Sequence, residues 1–218
     1  ATYCARATSR PTPPLAPPLP FPGHEAPRRP VMASPSTLAQ LFGQRATAHP
    51  ERPLVVAADG RTLTYGQADE RSAALAAALA DLGIAADDRV AVNLPNGAEW
   101  VIALLGIARL GATVVPVSPR LNYHELKYQL RHAEVSCVVT VERFGGVDYL
   151  QLFESILAEL PDLQVLVTVG DEELWHDDRI FQFEDLLSKG AGRQPPAPTP
   201  VGGTNADGAP EGDLALLY

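Results

Sequence analysis

The sequence is short of almost everything that marks a catalytic centre. It has two cysteines, Cys4 and Cys137, far apart and in unlike contexts, which excludes a disulfide framework and a thiolate metal site. Cys137 sits inside VSCVVTV, the setting of a small buried hydrophobe. No GxGxxG or Walker-type glycine loop follows any apolar run, so a nucleotide fingerprint is missing. Gly145-Gly146 and Gly202-Gly203 are isolated pairs and read as turns. Of the five histidines, none pairs with another at ligand spacing; His124 and His132 lie eight apart on one predicted helix, too far to share a metal. Ser118 lacks the glycines of a nucleophile elbow. Positive charge is short too. The formal net charge is -9, which argues against a nucleic-acid surface. The apolar run Trp100–Leu110 is too short to cross a bilayer. A reducing, cytoplasmic setting is the expectation.

What is there is a layered pattern. The stretch Asn93–Val117 reads as strand end, turn, helix, glycine stop and strand. Asn96 with Glu99 has the spacing of a capping box. Trp100 to Leu110 is apolar on every face, as in a helix buried on more than one side. Gly111 follows, where a left-handed residue is expected. Thr113–Val117 is a β-branched run suited to a strand covered on both faces.

The flanking units repeat the pattern. TLAQLFGQRATAH (37–49) has Leu38, Leu41, Phe42 and Arg45 at helical spacing and reads as a helix ended by His49-Pro50, and Leu54–Ala57 and Arg61–Thr64 read as a hairpin about Asp59-Gly60. Thr64 with Gln67 caps a helix to Leu82, closed by Gly83, and Asp87-Asp88 turns into a strand at Arg89–Leu94. Asn122 with Glu125 opens a helix over 124–133. A strand at Val135–Val141, a loop at Phe144–Gly146, a helix at Tyr149–Leu160 and a strand at Leu163–Val169 follow. Ile180–Leu187 reads as a short helix stopped at Gly190, and Asp171–Glu173 and Asp177-Asp178 as solvated turns. Helices alternating with short apolar strands predict an α/β fold with a mostly parallel sheet and crossover helices.

The ends differ from this middle. The first 31 residues hold nine of the 21 prolines and carry +3, leaving -12 for the rest. Residues 1–35 are therefore expected to be a disordered proline-rich leader. Their PxxP spacings follow from composition alone, and Met32, the sole methionine, is a candidate start. The globular α/β unit is expected over 36–189, a flexible loop over 190–212, and a strand in the apolar end 213–218.

Two motifs carry a resemblance. LTYGQAD (63–69) and ARLGATVVPVSP (108–119) resemble the early LTYxEL and LKAGAxxVPxxP patterns of the adenylate-forming enzymes, the superfamily of acyl-CoA synthetases, luciferases and peptide-synthetase adenylation domains. Ala68-Asp69 stands in place of the usual Glu-Leu, and Leu110-Gly111 in place of the usual Ala-Gly. The likeness runs from about Thr37 to Val141 and weakens to Val169; PNGAEW and PRLNYHEL look most like an acyl-CoA synthetase. The resemblance implies the N-terminal portion of that fold, incomplete at its C-terminus. The intact enzyme would use ATP and Mg²⁺ to convert a carboxylic acid, expected to be a fatty acid, to an acyl-adenylate, and pass the acyl group to CoA. The family's phosphate loop typically follows a strand reading like LLY, here Leu216-Leu217-Tyr218. No catalytic, cofactor-binding or metal-ligating residue is carried over. The chain alone is expected to bind no cofactor, and its expected partners are the remainder of the enzyme and a small carboxylate. A non-catalytic interaction domain or truncated paralogue is the alternative. A dehydrogenase half is disfavoured by the missing glycine fingerprint.

Overall fold

The computed structural model describes residues 37–171, 177–195 and 214–217. The proline-rich leader and most of the 190–212 loop lie outside the described residues.

A five-stranded, all-parallel sheet forms the centre, in the order β4-β3-β5-β8-β9. Its strands are β3 (Arg89–Asn93), β4 (Thr113–Pro116), β5 (Cys137–Val141), β8 (Val165–Val169) and β9 (Ile180–Gln182). A two-stranded hairpin, β1 (Pro53–Val56) and β2 (Thr62–Thr64), stands apart from it. Helices α1 (Leu38–Ala48), α2 (Tyr65–Asp81), α3 (Ala98–Leu110) and α6 (Phe183–Gly190) cover one face. Helices α4 (Tyr123–His132) and α5 (Tyr149–Ile156) cover the other.

Strand alternation builds the two cores. Val90 and Val92, Cys137 and Val139, and Val165 and Val167 point to the α2/α3 side. Ala91, Val138 and Leu166 point to the α4/α5 side. In-register pairing lines them up across the sheet, as in Val90↔Cys137↔Val165 and Ala91↔Val138↔Leu166. Such strands need apolar residues at nearly every position, because both faces are covered. Cys137 is fully buried, and burial pushes its thiol far above the ordinary value, with the charge of Asp88 adding to the rise. It is a core residue.

Local signals set most boundaries. Thr64–Gln67 and Asn122–Glu125 both form complete capping boxes. Gly111 closes α3 with φ 76, the left-handed conformation that glycine adopts at little cost. Two expectations need correction at helix starts. Asn96 does not cap α3: the cap position is Gly97, with no side-chain cap bond. The Glu99 carboxylate instead lies 3.2 Å from where a Cβ on Gly97 would stand. Ile180–Leu187 is not one helix either. It divides into β9 and α6, because Ile180, Phe181 and Gln182 pair in parallel with Leu166, Val167 and Thr168. The loop expected at Phe144–Gly146 is the tip of a small hairpin, β6 (Arg143–Phe144) and β7 (Val147–Asp148), with Gly145 and Gly146 at positive φ. The last turn of the helix expected at Tyr149–Leu160 is a 3-10 turn, Leu157–Glu159.

Asp177 opens the turn into β9. Its carboxylate accepts from the Arg179 side chain and backbone N–H, and these bonds pull its pKa down to about 2. A depressed carboxylate contributes stability above its unfolded value and loses it as the pH falls through the folded one. Carboxyl NMR should therefore place the Asp177 midpoint near pH 2, and Arg179→Ala should return it toward 3.8. A midpoint unchanged by Arg179→Ala would show that the guanidinium is not the cause.

Candidate functional site at the carboxyl edge of the sheet

The connections run in two directions. The chain passes from β3 through α3 to β4 on one face, and from β5 through α5 to β8 on the other. The neighbouring strands β3 and β5 therefore flank a topological switch point, where open α/β sheets hold ligands beyond their carboxyl ends.

A buried polar row lies at that end. Asn93, Thr140, Thr168 and Gln182 are in register across β3, β5, β8 and β9. By alternation they point to the α4/α5 side, one step beyond Ala91, Val138, Leu166 and Ile180. Asn93, Thr140 and Thr168 are fully buried. The Asn93 amide donates to the Thr140 hydroxyl at 3.0 Å, and that hydroxyl donates to the Val141 carbonyl at 3.2 Å. Thr168 donates to Gln182 Oε1 at 3.4 Å, and Gln182 Nε2 donates to the buried carboxylate of Glu142 at 2.8 Å. The backbone pins Glu142 as well: its N–H bonds the Val169 carbonyl at 3.1 Å, and its carbonyl accepts from the Tyr149 N–H at 2.8 Å. Gly170 makes room for the Glu142 side chain, since a Cβ there would stand 1.9 Å from Oε2. Among the described residues, Asn93 Oδ1 and the Tyr149 hydroxyl are buried without a partner, and burial pushes the Tyr149 phenol up. Sequence reasoning missed this row. Each member looks like an ordinary strand-end residue, and only the register unites them.

The row does not fit a triphosphate. Asn93, Thr140 and Thr168 are enclosed, and Gly170, the glycine beside the row, is filled by Glu142. Among the described residues no three His, Cys, Asp or Glu side chains gather as a metal site. His124 and His132 fall on α4, on exposed positions. Ser118 is exposed just past β4. Among the described residues no helix is long and apolar enough to cross a membrane.

The two sequence motifs are packing devices, and they meet. From the first motif, Leu63 and Ala68 are core residues, and Thr64 caps α2. Tyr65 stacks on Phe42 at 5.7 Å between centroids. From the second motif, Arg109 donates to the Ser72 hydroxyl at 3.0 Å and is ion-paired with Asp69 of the first. Gly106, just before the second motif, lets α3 approach α2, because a Cβ there would touch Leu75 at 3.1 Å. Arg109 is largely enclosed and Asp69 is more open, at 17% and 41% side-chain exposure, so solvent screens the pair in part. A double-mutant cycle of Asp69→Asn and Arg109→Gln should give a coupling of about 1 kcal/mol by urea melts. A coupling near zero would mean that the pair holds nothing together.

Strand pairing reaches the apolar end of the chain. The Val114 N–H donates to the Leu214 carbonyl at 2.9 Å, and the Leu216 N–H donates to the Val114 carbonyl at 2.8 Å. Ala215 thus lies parallel beside β4, outside the five strands. Residues 214–217 run toward the same edge as the polar row.

The AMP-binding enzyme family profile matches residues 42–215. A salicylyl-CoA synthase / salicylate adenylyltransferase of Streptomyces is 36% identical over 117 residues, which cover 53% of this chain and 21% of that protein. A long-chain-fatty-acid–CoA ligase of Salmonella typhimurium is 37% identical over 138 residues, 62% of this chain and 24% of that protein. The solved Mycobacterium tuberculosis fatty acyl CoA synthetase superposes with a TM-score of 0.65 at 24% identity, over 84% of this chain and 32% of that one. The chain spans less than a third of the length of these proteins. The profile starts in α1, takes in both motifs and every strand of the central sheet, and stops at the residue that pairs with β4, so the chain belongs to the AMP-binding enzymes.

Proposed function

We propose that this chain is the N-terminal portion of an acyl-CoA synthetase, which activates a carboxylic acid with ATP to an acyl-adenylate and transfers the acyl group to CoA. The observation that carries the reading is the family match over residues 42–215, in a chain that spans less than a third of its relatives' length. The two ligases above are named for a salicylate and a long-chain fatty acid. We take a fatty acid as the substrate of the intact enzyme and the cytoplasm as its place. Residues 36–189 form the N-terminal α/β unit in this reading, and 190–212 a connecting loop.

Adenylation needs donors around the triphosphate, a metal, and a carboxylate oxygen held in line with the α-phosphate. ATP, Mg²⁺ and CoA would supply the electrophile, its charge neutralisation and the thiol acceptor. The residues of this chain would contribute the scaffold: a rigid sheet whose carboxyl edge faces the reacting groups, with Ala215 bridged to Val114 at the outer side of β4. The chain alone is then not catalytic. No carboxylate-dependent exchange of pyrophosphate into ATP is expected from it, and Mg-ATP should bind no more tightly than millimolar in calorimetry. Adding the remaining portion of the enzyme, fused or as a separate chain, should restore exchange. Micromolar, saturable ATP binding by the chain alone would overturn the division of labour. Failure of every reconstituted form would favour a non-catalytic interaction domain.

A further inference from the structure

We draw no further inference here: the strongest candidate, the cleft of about 580 Å³ between the β1–β2 hairpin, α2, the start of α3 and α6, with the Glu70 and Glu99 carboxylates and the Arg71–Glu184 ion pair on its walls, is a half-open surface of a chain that spans less than a third of its relatives, and nothing in the structure shows what covers it.

Discussion

Gly190→Ala should destabilise the chain by about 3 kcal/mol, the upper end of what an added methyl costs in a packed interior. Gly190 ends α6, where that helix crosses α2. A Cβ there would stand 2.0 Å from the Ala74 carbonyl oxygen and 2.7 Å from its carbon. Those are backbone atoms in the middle of α2, so no side-chain rotation relieves the clash. Either α6 moves off α2, or both helices shift against the sheet. Phe183, Leu186 and Leu187 would move with α6, and all three are core residues. Gly43→Ala is the control. Gly43 lies inside α1 with nothing within 4 Å of its Cβ position, so the exchange should gain about 0.5–1 kcal/mol by lowering backbone entropy in the unfolded chain. Urea midpoints of the two variants should move in opposite directions. A neutral Gly190→Ala would mean that α6 does not press against the Ala74 carbonyl.

Phe153→Ala tests the other face and should cost about 3–5 kcal/mol. Phe153 is fully buried in α5, in the core formed with Tyr149, Ile156, Leu126, Leu130 and Leu166. The loss combines transfer of the ring with the cavity left behind. Domains of this size are stable by about 5–15 kcal/mol, so the variant should lose much of its margin and bind a hydrophobic dye at room temperature. Far-UV dichroism of any folded fraction should stay native, since β5 and β8 are also held from the α2/α3 side through Cys137, Val139, Val165 and Val167. A loss below about 1 kcal/mol would show that α5 is not an integral cover of the sheet.

Most of the fold was legible because its signals are local. A hydroxyl or amide three residues before Gln67 or Glu125 is enough to start a helix, and both boxes form. A glycine after an apolar helix is enough to stop it, and Gly111 does. Runs such as Arg89–Asn93 and Cys137–Val141 are apolar on both faces, which points to a covered parallel sheet. The signals failed where three residues had to decide. Ile180–Gln182 is too short to show a period, and tertiary pairing with β8 overrides its helix-like continuation into Phe183. The spacing of Asn96 and Glu99 was right for a cap, yet the chain starts its helix one residue later at Gly97. The polar row was illegible for a different reason. Its members sit in four separate strands, and only the folded register brings them into one line. The family motifs were read from their residues, but they serve packing between α2 and α3, so they lead to the family without leading to a reacting group.

The polar row also bears on how the sheet finds its pairing. Strands covered on both faces can slide by one residue and still bury apolar side chains, so hydrophobicity alone distinguishes poorly between the native alignment and its neighbours. A one-residue slip of β5 against β3 would carry Thr140 from the α4/α5 side into the core around Val92 and Val139, and part it from the Asn93 amide. Each buried polar group stranded in this way costs about 1–3 kcal/mol. Asn93, Thr140, Thr168 and Gln182 therefore act as a key cut into one end of the sheet, which fits a single alignment of four strands and turns the others away.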